Sequence, residues 1–215
     1  SGSTWSSLGT GNGNGVGSNV TALTAIGNDL YVGGLFATAG NGTANHVARW
    51  DGGTWSSLGT GSGNGVNGAV LAMAAIGNDL YVAGTFDQAG GAAALRVARW
   101  DGAAWSSLGT GVGSRVGDAV NALGVIGNEL YAGGNFISAG GAPANHIARW
   151  DGAAWSSLGI GADNGLDAAV SALAVVGSEL YVGGTFDQAG AVRSTRIATW
   201  GQGTVDGVLA DGFEQ

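Results

Sequence analysis

Cysteine and lysine are both absent from the 215-residue sequence, and proline occurs only once. Without cysteine the chain has no disulfide framework, no thiolate nucleophile and no Cys-ligated zinc site. All seven basic residues are arginine, and because there are 15 acidic residues the formal net charge is −8. This acidic balance argues against nucleic acid and against an anionic membrane surface as partners.

Long apolar runs and charged residues are also scarce. No apolar stretch reaches the roughly 18–20 residues that a membrane-spanning helix requires, so membrane insertion is not expected. Charged residues make up 10% of the chain, against about 25% in average globular proteins. Glycine is abundant, with 45 residues, and most of these recur in register, which is typical of turns and close-packed positions.

A 50-residue internal repeat organises the chain. The segment ARWDGGTWSSLG at 48–59 returns as ARWDGAAWSSLG at 98–109 and again at 148–159. Partial copies stand at the two ends, STWSSLG from Ser3 and ATWGQGTV from Ala198. The constant spacing predicts one propeller-like array at 1–203, with repeats of about 5–54, 55–104, 105–154 and 155–203, and a C-terminal tail at 204–215.

Each repeat contains four short segments with the composition of β-strands. In the first copy we predict strand a at 20–26, strand b at 30–36, strand c at 46–50 and strand d at 54–59, separated by glycine-rich turns and loops. The glycine spacing and the lack of a sustained 3.6-residue period exclude helix. An all-β meander that repeats at a fixed period is typical of four-stranded β-propeller blades, here four of them.

The repeat resembles the blades of the kelch and galactose-oxidase class. In that class a hydrophobic strand ends in a Gly-Gly doublet, strand c carries an aromatic residue and strand d a tryptophan; the counterparts here are Gly33-Gly34, Trp50 and Trp55. The second copy departs with Ala83-Gly84, and the spacing between strands c and d is shorter. The match is closer to secreted bacterial repeats of the LYVGGxFxxAGG…IARWDGxxWSSLG type, which have no assigned function.

The partial copies at the two ends predict how the propeller closes. The chain begins with a strand d and its last repeat ends with a strand c, so the N-terminal TWSSLG can complete the last blade of a four-blade monomer. Position 22 and its equivalents are alanine in all four repeats, which suits the narrow axis of a small ring. The alternative is that two chains share an eight-bladed ring or exchange these strands. The closed monomer is favoured over the dimer.

Two repeated residue sets are interpreted as structural. Tryptophan occurs twice per repeat (50/55, 100/105, 150/155, and 5/200 across the closure), and each side chain can bury roughly 150–250 Å² between blades. An arginine stands two residues before the aspartate of the first three c-to-d turns, Arg49 before Asp51 in the first copy. Because these residues lie on the same side of an extended strand, we expect the arginine to order the turn by hydrogen bonding.

The variable loops define a candidate binding face. The strands alternate in direction, so the b-to-c loops (37–45 in the first copy) and the d-to-a loops (11–19) share one face of the disc, the loop face. The a-to-b and c-to-d turns share the other, the turn face, and are nearly identical between repeats. We predict a non-catalytic module that binds a glycan or protein through the loop face. The candidate ligand-binding residues are His46, Asp87, Gln88, Arg96, Arg115, His146, Asp187, Gln188 and Arg196.

No cofactor, metal or catalytic centre is expected. Four blades would hold His46 and His146 on opposite sides of the axis, too far apart to share one ion. Ser56-Ser57 recurs in every repeat, which a catalytic serine would not do. No spacing selects a carboxylate pair for glycoside hydrolysis among Asp118, Asp163, Asp167 and Asp187. A structural or self-associating protein is the alternative function, and a hydrolase or lyase is a weaker one.

The tail suggests where the protein works. It ends in ADGFEQ, which resembles C-terminal tails on secreted proteins of gamma-proteobacteria. The lysine-free, glycine-rich composition is compatible with the same environment. We therefore expect a secreted or cell-surface protein, with the periplasm as an alternative.

Overall fold

The computed structural model describes residues 3–115, 117–161 and 164–201. Asp163 and the tail at 204–215 lie outside the described residues. Within the described part the chain forms 23 β-strands and two 3₁₀ turns, Gly11–Gly13 and Gly61–Gly63, and it contains no α-helix. The described residues accordingly offer no helix long and apolar enough to cross a membrane.

The four repeats contribute equivalent strands in the same order. The first repeat contains β1 (Val20–Ile26), β2 (Asp29–Gly34), β3 (Thr38–Ala39), β4 (Gly42–Thr43), β5 (Val47–Trp50) and β6 (Trp55–Ser57). The second contains β7 (Val70–Ile76), β8 (Asp79–Gly84), β9 (Gln88–Ala89), β10 (Ala92–Ala93), β11 (Val97–Trp100) and β12 (Trp105–Ser107). The third contains β13 (Ala119–Ile126), β14 (Glu129–Asn135), β15 (Ser138–Ala139), β16 (Ala142–Pro143), β17 (Ile147–Trp150) and β18 (Trp155–Ser157). The fourth contains β19 (Val170–Val176), β20 (Glu179–Gly184), β21 (Gln188–Ala189), β22 (Val192–Arg193) and β23 (Ile197–Trp200).

The first three repeats each form a four-stranded antiparallel blade. The strand orders are β1-β2-β5-β6, β7-β8-β11-β12 and β13-β14-β17-β18. The four strands of a blade thus pair in chain order, and two short strands lie in the loop between its second and third strands. This is the predicted a-b-c-d meander, and the all-β propeller class is confirmed. Strand a agrees with its predicted bounds to within one residue, while strand d is shorter than the sequence suggested.

The b-to-c loops contain a second small ribbon that the sequence analysis did not predict. In the first repeat β3 pairs with β4, and an isolated bridge joins Val16 of the preceding d-to-a loop to Ala39. The turn between the two short strands places Gly40 at φ 57°, a backbone conformation that glycine adopts without steric cost. The two kinds of loop are therefore hydrogen-bonded to each other.

The fourth blade is incomplete. Among the described strands, β19, β20 and β23 form a three-stranded sheet that has no strand d. The N-terminal TWSSLG, predicted to fill that place, forms no strand, and the Trp5 side chain is fully exposed. Consecutive inner strands pack on one another from β1 to β7, β13 and β19, but no comparable packing joins β19 to β1. The four blades form an open arc, so the predicted closure is not made in this structure.

The core lies between consecutive blades. One phenylalanine per repeat, the residue two positions after strand b in blade one, is at most 1% exposed (Phe36, Phe86, Phe136 and Phe186). Between blades two and three, partly buried residues of both inner strands pack against one buried cluster: Ala72, Ala74, Ile76, Leu123 and Val125. The small side chains of strand a thus allow neighbouring inner strands to approach closely.

The strand-d tryptophans join each blade to the preceding repeat. Each stacks at a tilt on the strand-c tryptophan of its own blade, with ring centroids 5.3–5.5 Å apart. Each also donates its indole N–H to a leucine carbonyl 47 residues earlier: Trp55 to Leu8 at 2.9 Å, Trp105 to Leu58 at 2.8 Å and Trp155 to Leu108 at 2.9 Å. These six tryptophans are buried or half-buried, as predicted. Trp5 and Trp200 are exposed.

The strand-c arginines bind a different partner from the one expected. Arg49 Nε lies 2.7 Å from Asp29 Oδ2 at the start of strand b, because Arg49 is paired with Tyr31 in the ladder and residue 29 is its diagonal neighbour on the same face. The turn is ordered by Asp51 itself, whose Oδ1 accepts the N–H groups of Gly53 and Thr54 at 2.9 and 2.8 Å. These bonds, with that of Thr54 first, lower the pKa of Asp51 to about 2.

Replacing Trp105 with phenylalanine should lower the free energy of unfolding by about 0.5–1.5 kcal/mol, because the indole hydrogen bond to Leu58 O is lost while the Gly65 N–H still donates to the same oxygen at 2.9 Å. Chemical denaturation of the variant measures this. Ser106→Ala, in the same strand at an exposed position, should leave the stability unchanged. Equal stability of Trp105→Phe and the parent chain would contradict the structural role given to the indole N–H.

Candidate functional site

The four residues that precede strand c share an unusual backbone on the loop face. His46, Arg96, His146 and Arg196 have φ values of 65°, 63°, 65° and 69°, in the left-handed region that costs a non-glycine residue about 1–2 kcal/mol. Two hydrogen bonds hold the conformation in the first repeat: the His46 N–H donates to Phe36 O at 2.8 Å, and Gly34 N–H donates to His46 O at 2.9 Å. Histidine and arginine therefore alternate at a position whose backbone conformation is the same in all four repeats.

Arg96 uses this position to tie two blades together. Its Nε donates to Asp118 O at 2.8 Å, and its Nη1 donates to Phe86 O at 2.9 Å. Its Nη2 reaches Arg115 O at 3.4 Å, so two of the predicted site residues are brought together through backbone carbonyls. The guanidinium of Arg96 is thus engaged with the protein.

The histidines make fewer contacts at the same position. His146 Nδ1 lies 3.2 Å from Gly134 O. His46 Nδ1 is buried and has no hydrogen-bond partner among the described residues. Burial lowers the pKa of His146, and the Gly134 carbonyl opposes this shift.

Two b-to-c loops begin with an exposed Asp-Gln pair, Asp87-Gln88 in blade two and Asp187-Gln188 in blade four. Asn67 Oδ1 accepts the backbone N–H groups of Asp87 and Gln88 at 3.0 and 2.9 Å. In the fourth repeat Asp167 Oδ1 accepts the equivalent two N–H groups at 2.9 and 3.0 Å. Arg196 Nη2 and Asp187 Oδ1 are 3.7 Å apart, and both side chains are more than half exposed. The backbone is fixed, while these side chains face solvent.

Two of the loop-face carboxylates are bound by backbone N–H groups of the protein itself. Within the described ranges no group of three or more histidine, aspartate or glutamate side chains could hold an ion. The Asp118 carboxylate is buried and accepts the N–H groups of Ser114 and Arg115 at 2.8 and 2.7 Å. Backbone donors, first that of Gln188, lower the pKa of Asp167, opposite to the shift that a general acid requires. Asp163 lies outside the described residues.

A polar cleft between the first two blades was missed by the sequence analysis. It has a volume of about 50 Å³ and is lined by Asn45, Asn64, Asn67 and Gln88 among others. Asn45 Nδ2 donates to Asn64 O, and Asn64 Nδ2 donates to Thr43 O, both at 2.9 Å. Asn64 Oδ1 is buried without a partner in the described part of the chain. In the sequence, Asn64-Gly65 has the composition of an ordinary turn. Nothing in it indicates that Asn64 makes a contact between blades.

A larger cleft, about 480 Å³, lies on the turn face between blades three and four. Its lining includes Glu129, Tyr131, Arg149 and Trp200. Glu129 accepts a hydrogen bond from Tyr131 OH at 2.9 Å and pairs with Arg149 at 3.1 Å, so the polar groups bind each other. The Trp200 side chain is 42% exposed, since no strand d among the described residues covers it.

Residues 6–178 match the family model of the Rax2 C-terminal beta propeller domain, which is most of the chain. The chain belongs to this family. Membership of the Rax2 propeller family agrees with the blades seen in the structure. The finer resemblance, to kelch-class blades and to the secreted bacterial repeat type, stays a prediction.

Two solved structures resemble this member of the Rax2 propeller family in fold. The computationally designed Ika4 protein is 17% identical with a TM-score of 0.52, and the match covers 93% of this chain and 100% of that chain. The computationally designed Ika8 protein is 19% identical with a TM-score of 0.50, and the match covers 87% of this chain and 47% of that chain. The chain thus spans about half the length of the Ika8 protein. No curated protein matches the sequence.

Protonation of His146 should destabilise this propeller. Because burial lowers the pKa of His146 below its usual 6.5 in the folded chain, the unfolded chain binds the proton first as the pH falls. The free energy of unfolding should therefore be constant above about pH 7.5 and decrease as the pH drops through 6.5. Denaturation at pH 7.5 and 5.5 measures the difference.

The matched variant for this test is His146→Asn, because asparagine tolerates the left-handed backbone. It should reduce the loss of stability between pH 7.5 and 5.5. An identical loss in the variant and the parent chain would show that His146 is not the titrating group.

Proposed function

We propose that this propeller is a non-catalytic interaction module whose loop face binds a protein partner. The observation that supports it most is a contrast between the two faces. The turn face repeats an arginine–carboxylate ion pair and the same Asp-Gly turn in each complete blade. The loop face carries different side chains on one repeated, hydrogen-bonded backbone, an arrangement typical of recognition loops on a rigid scaffold.

The chemistry of the loop face favours a protein over a glycan. Leu35, Ile137 and Val192 are exposed there, close in sequence to polar residues such as Asp187 and Gln188. A mixture of apolar and polar groups is typical of protein interfaces. The b-to-c and d-to-a loops contain no aromatic residue on which a sugar ring could stack.

A glycan is the second candidate ligand, and the asparagine cleft is the observation that favours it. Its amide groups are suited to hydroxyl recognition, and Asn64 Oδ1 lacks a partner within the described residues. Its volume of about 50 Å³ is on the order of one or two water molecules, which is too small for a sugar ring.

The absence of catalysis and an extracytoplasmic location are parts of the same proposal. The first is supported by the loop carboxylates, since Asp118 and Asp167 are occupied by backbone N–H groups. The second is supported by the resemblance to secreted repeats and by the ADGFEQ ending.

Removing exposed loop-face side chains should abolish partner binding and leave the fold intact. The variant is Asp87→Ala, Gln88→Ala, Asp187→Ala and Gln188→Ala in one chain. Immobilised chain is exposed to the surface proteins of the source organism and, separately, to a glycan array. We expect at least a tenfold loss of the retained protein, because a few side chains carry most interface energy.

The matched control carries Asn28→Ala and Asn78→Ala, which are exposed on the turn face, and it should bind like the parent chain. Binding to the glycan array alone would replace the protein partner by a glycan. Binding that the loop variant leaves unchanged would overturn the assignment of the loop face.

A further inference from the structure

Three of the four strand-d tryptophan sites in the repeat array are filled in the same way. The indole of Trp105, for example, stacks on Trp100, donates to Leu58 O at 2.8 Å and lies over a loop glycine, Gly90. A Cβ added at Gly90 would lie 2.8 Å from the Cβ of Trp105, so glycine makes room for the tryptophan. Trp55 and Trp155 have the same surroundings, Gly40 and Gly140 included.

The fourth site has the same lining without the tryptophan. Its cavity of about 100 Å³ is lined by Leu158, Leu166, Ala189, Gly190 and Trp200 among others. By the 50-residue repeat, Gly190 is the counterpart of Gly90, Trp200 that of Trp100, and Leu158 that of the acceptor Leu58. We call this cavity the blade-four socket. Trp5, 50 residues before Trp55, is the remaining strand-d tryptophan, and it lies in solvent.

The inner strands at the two ends of the arc are exposed on complementary faces. Val20 and Leu23 of blade one are 45% and 60% exposed, whereas Val70, the counterpart of Val20 in blade two, is 0% exposed. In blade four Ala172 and Ala174 are exposed, on the face that packs on the next blade in the interior of the arc. Each end thus presents the half of a blade junction that the other end lacks.

The space around equivalent glycines of strand b differs between the two ends of the arc in the same complementary way. A Cβ at Gly33 of blade one would lie 2.5 Å from Val70 Cγ1 and 2.6 Å from Met73 Sδ of blade two, so the next blade fills that space. At the equivalent Gly183 of blade four the nearest atom would be 3.9 Å away and belongs to the same blade. The space left there corresponds to Val20 and Leu23 of a following blade one.

We propose that the open end of blade four binds blade one of a second copy of this chain, so that two chains close one ring. Trp5 of the second copy enters the blade-four socket with its indole N–H on Leu158 O, and its Val20 and Leu23 pack over Gly183. A twofold axis makes the two junctions identical.

The chain's own N-terminal strand is the competing occupant of the socket. The three internal junctions are alike, with β1 on β7, β7 on β13 and β13 on β19. With this angle between successive blades, the two ends of the arc do not meet. A four-blade ring would require every junction to turn more sharply than these three do. The open arc therefore favours the two-chain ring over the closed monomer that the sequence favoured.

The first test is the mass of the chain in solution and its dependence on the junction residues. Sedimentation equilibrium should give twice the 20.9 kDa of one chain. Trp5→Ala and Gly183→Ala should each raise the dissociation constant at least tenfold, the first by emptying the socket and the second by occupying the space of Val20 and Leu23. Ser6→Ala, at an exposed neighbour of Trp5, should dimerise like the parent chain.

Mixing the two defective variants makes the test specific. In a pair of Trp5→Ala with Gly183→Ala, one junction joins an intact socket end to an intact Trp5 end, whereas each variant paired with itself has two damaged junctions. Random pairing alone gives the mixed pair at twice the abundance of either self-pair. Native mass spectrometry of an equal mixture should therefore show the mixed pair at clearly more than twice the abundance of either self-pair.

Three results would overturn the proposal. The first is a parent chain that sediments as a single copy at high concentration. This holds whether Trp5 is buried in the socket of its own chain or remains exposed to solvent. The second is a dimer whose dissociation constant is unchanged in both Trp5→Ala and Gly183→Ala. The third is an equal mixture in which the mixed pair is no more than twice as abundant as either self-pair, the ratio that random pairing gives.

Discussion

The rest of the structure depends on the hydrogen bond between the indole N–H of a strand-d tryptophan and a leucine carbonyl 47 residues earlier. The bond joins successive repeats, and the stacked strand-c tryptophan places the donor. A slip of one residue in strand d would turn the tryptophan to the other face of the sheet and remove both contacts. An insertion that displaced strand d relative to strand c would likewise move the donor away from its acceptor.

The same dependence explains why irregular features gather at blade four. Each complete blade is filled by the tryptophan of its own strand d, and blade four has no strand d among the described residues. Its socket is empty, Trp200 is left exposed, and the turn-face cleft beside Glu129 and Arg149 is open at that side. In repeat proteins the neighbour interface supplies much of the stability, so an uncovered terminal blade is both less stable and available for contact.

The sequence predicted the parts of the fold that local chemistry determines. Strand a begins at Val20, Val70 and Val170 as expected, because alternating apolar residues and Gly-Asn turns are short-range signals. The partner of Arg49 was not predictable in this way, since Asp29 becomes its diagonal neighbour only once the register of β2 and β5 is known. The contact of Asn64 with Thr43 and the left-handed backbone of His46 likewise depend on packing between loops. The open arc depends on the angle between blades, which small side chains such as Ala72 and Ala74 set jointly and no single motif encodes.

The proposed loop-face binding and the proposed two-chain ring concern different parts of the molecule. Together they imply that the binding face of the ring has rotational symmetry. Blade four carries Arg196 and blade one carries His46, so the alternation of arginine and histidine continues without a break when blade four of one chain meets blade one of another. A ring of two chains would contain eight blades. The histidine-type and arginine-type b-to-c loops would then each occur four times around one axis. A partner with repeated epitopes would then gain affinity from simultaneous contacts, by an effective concentration that the rigid ring sets.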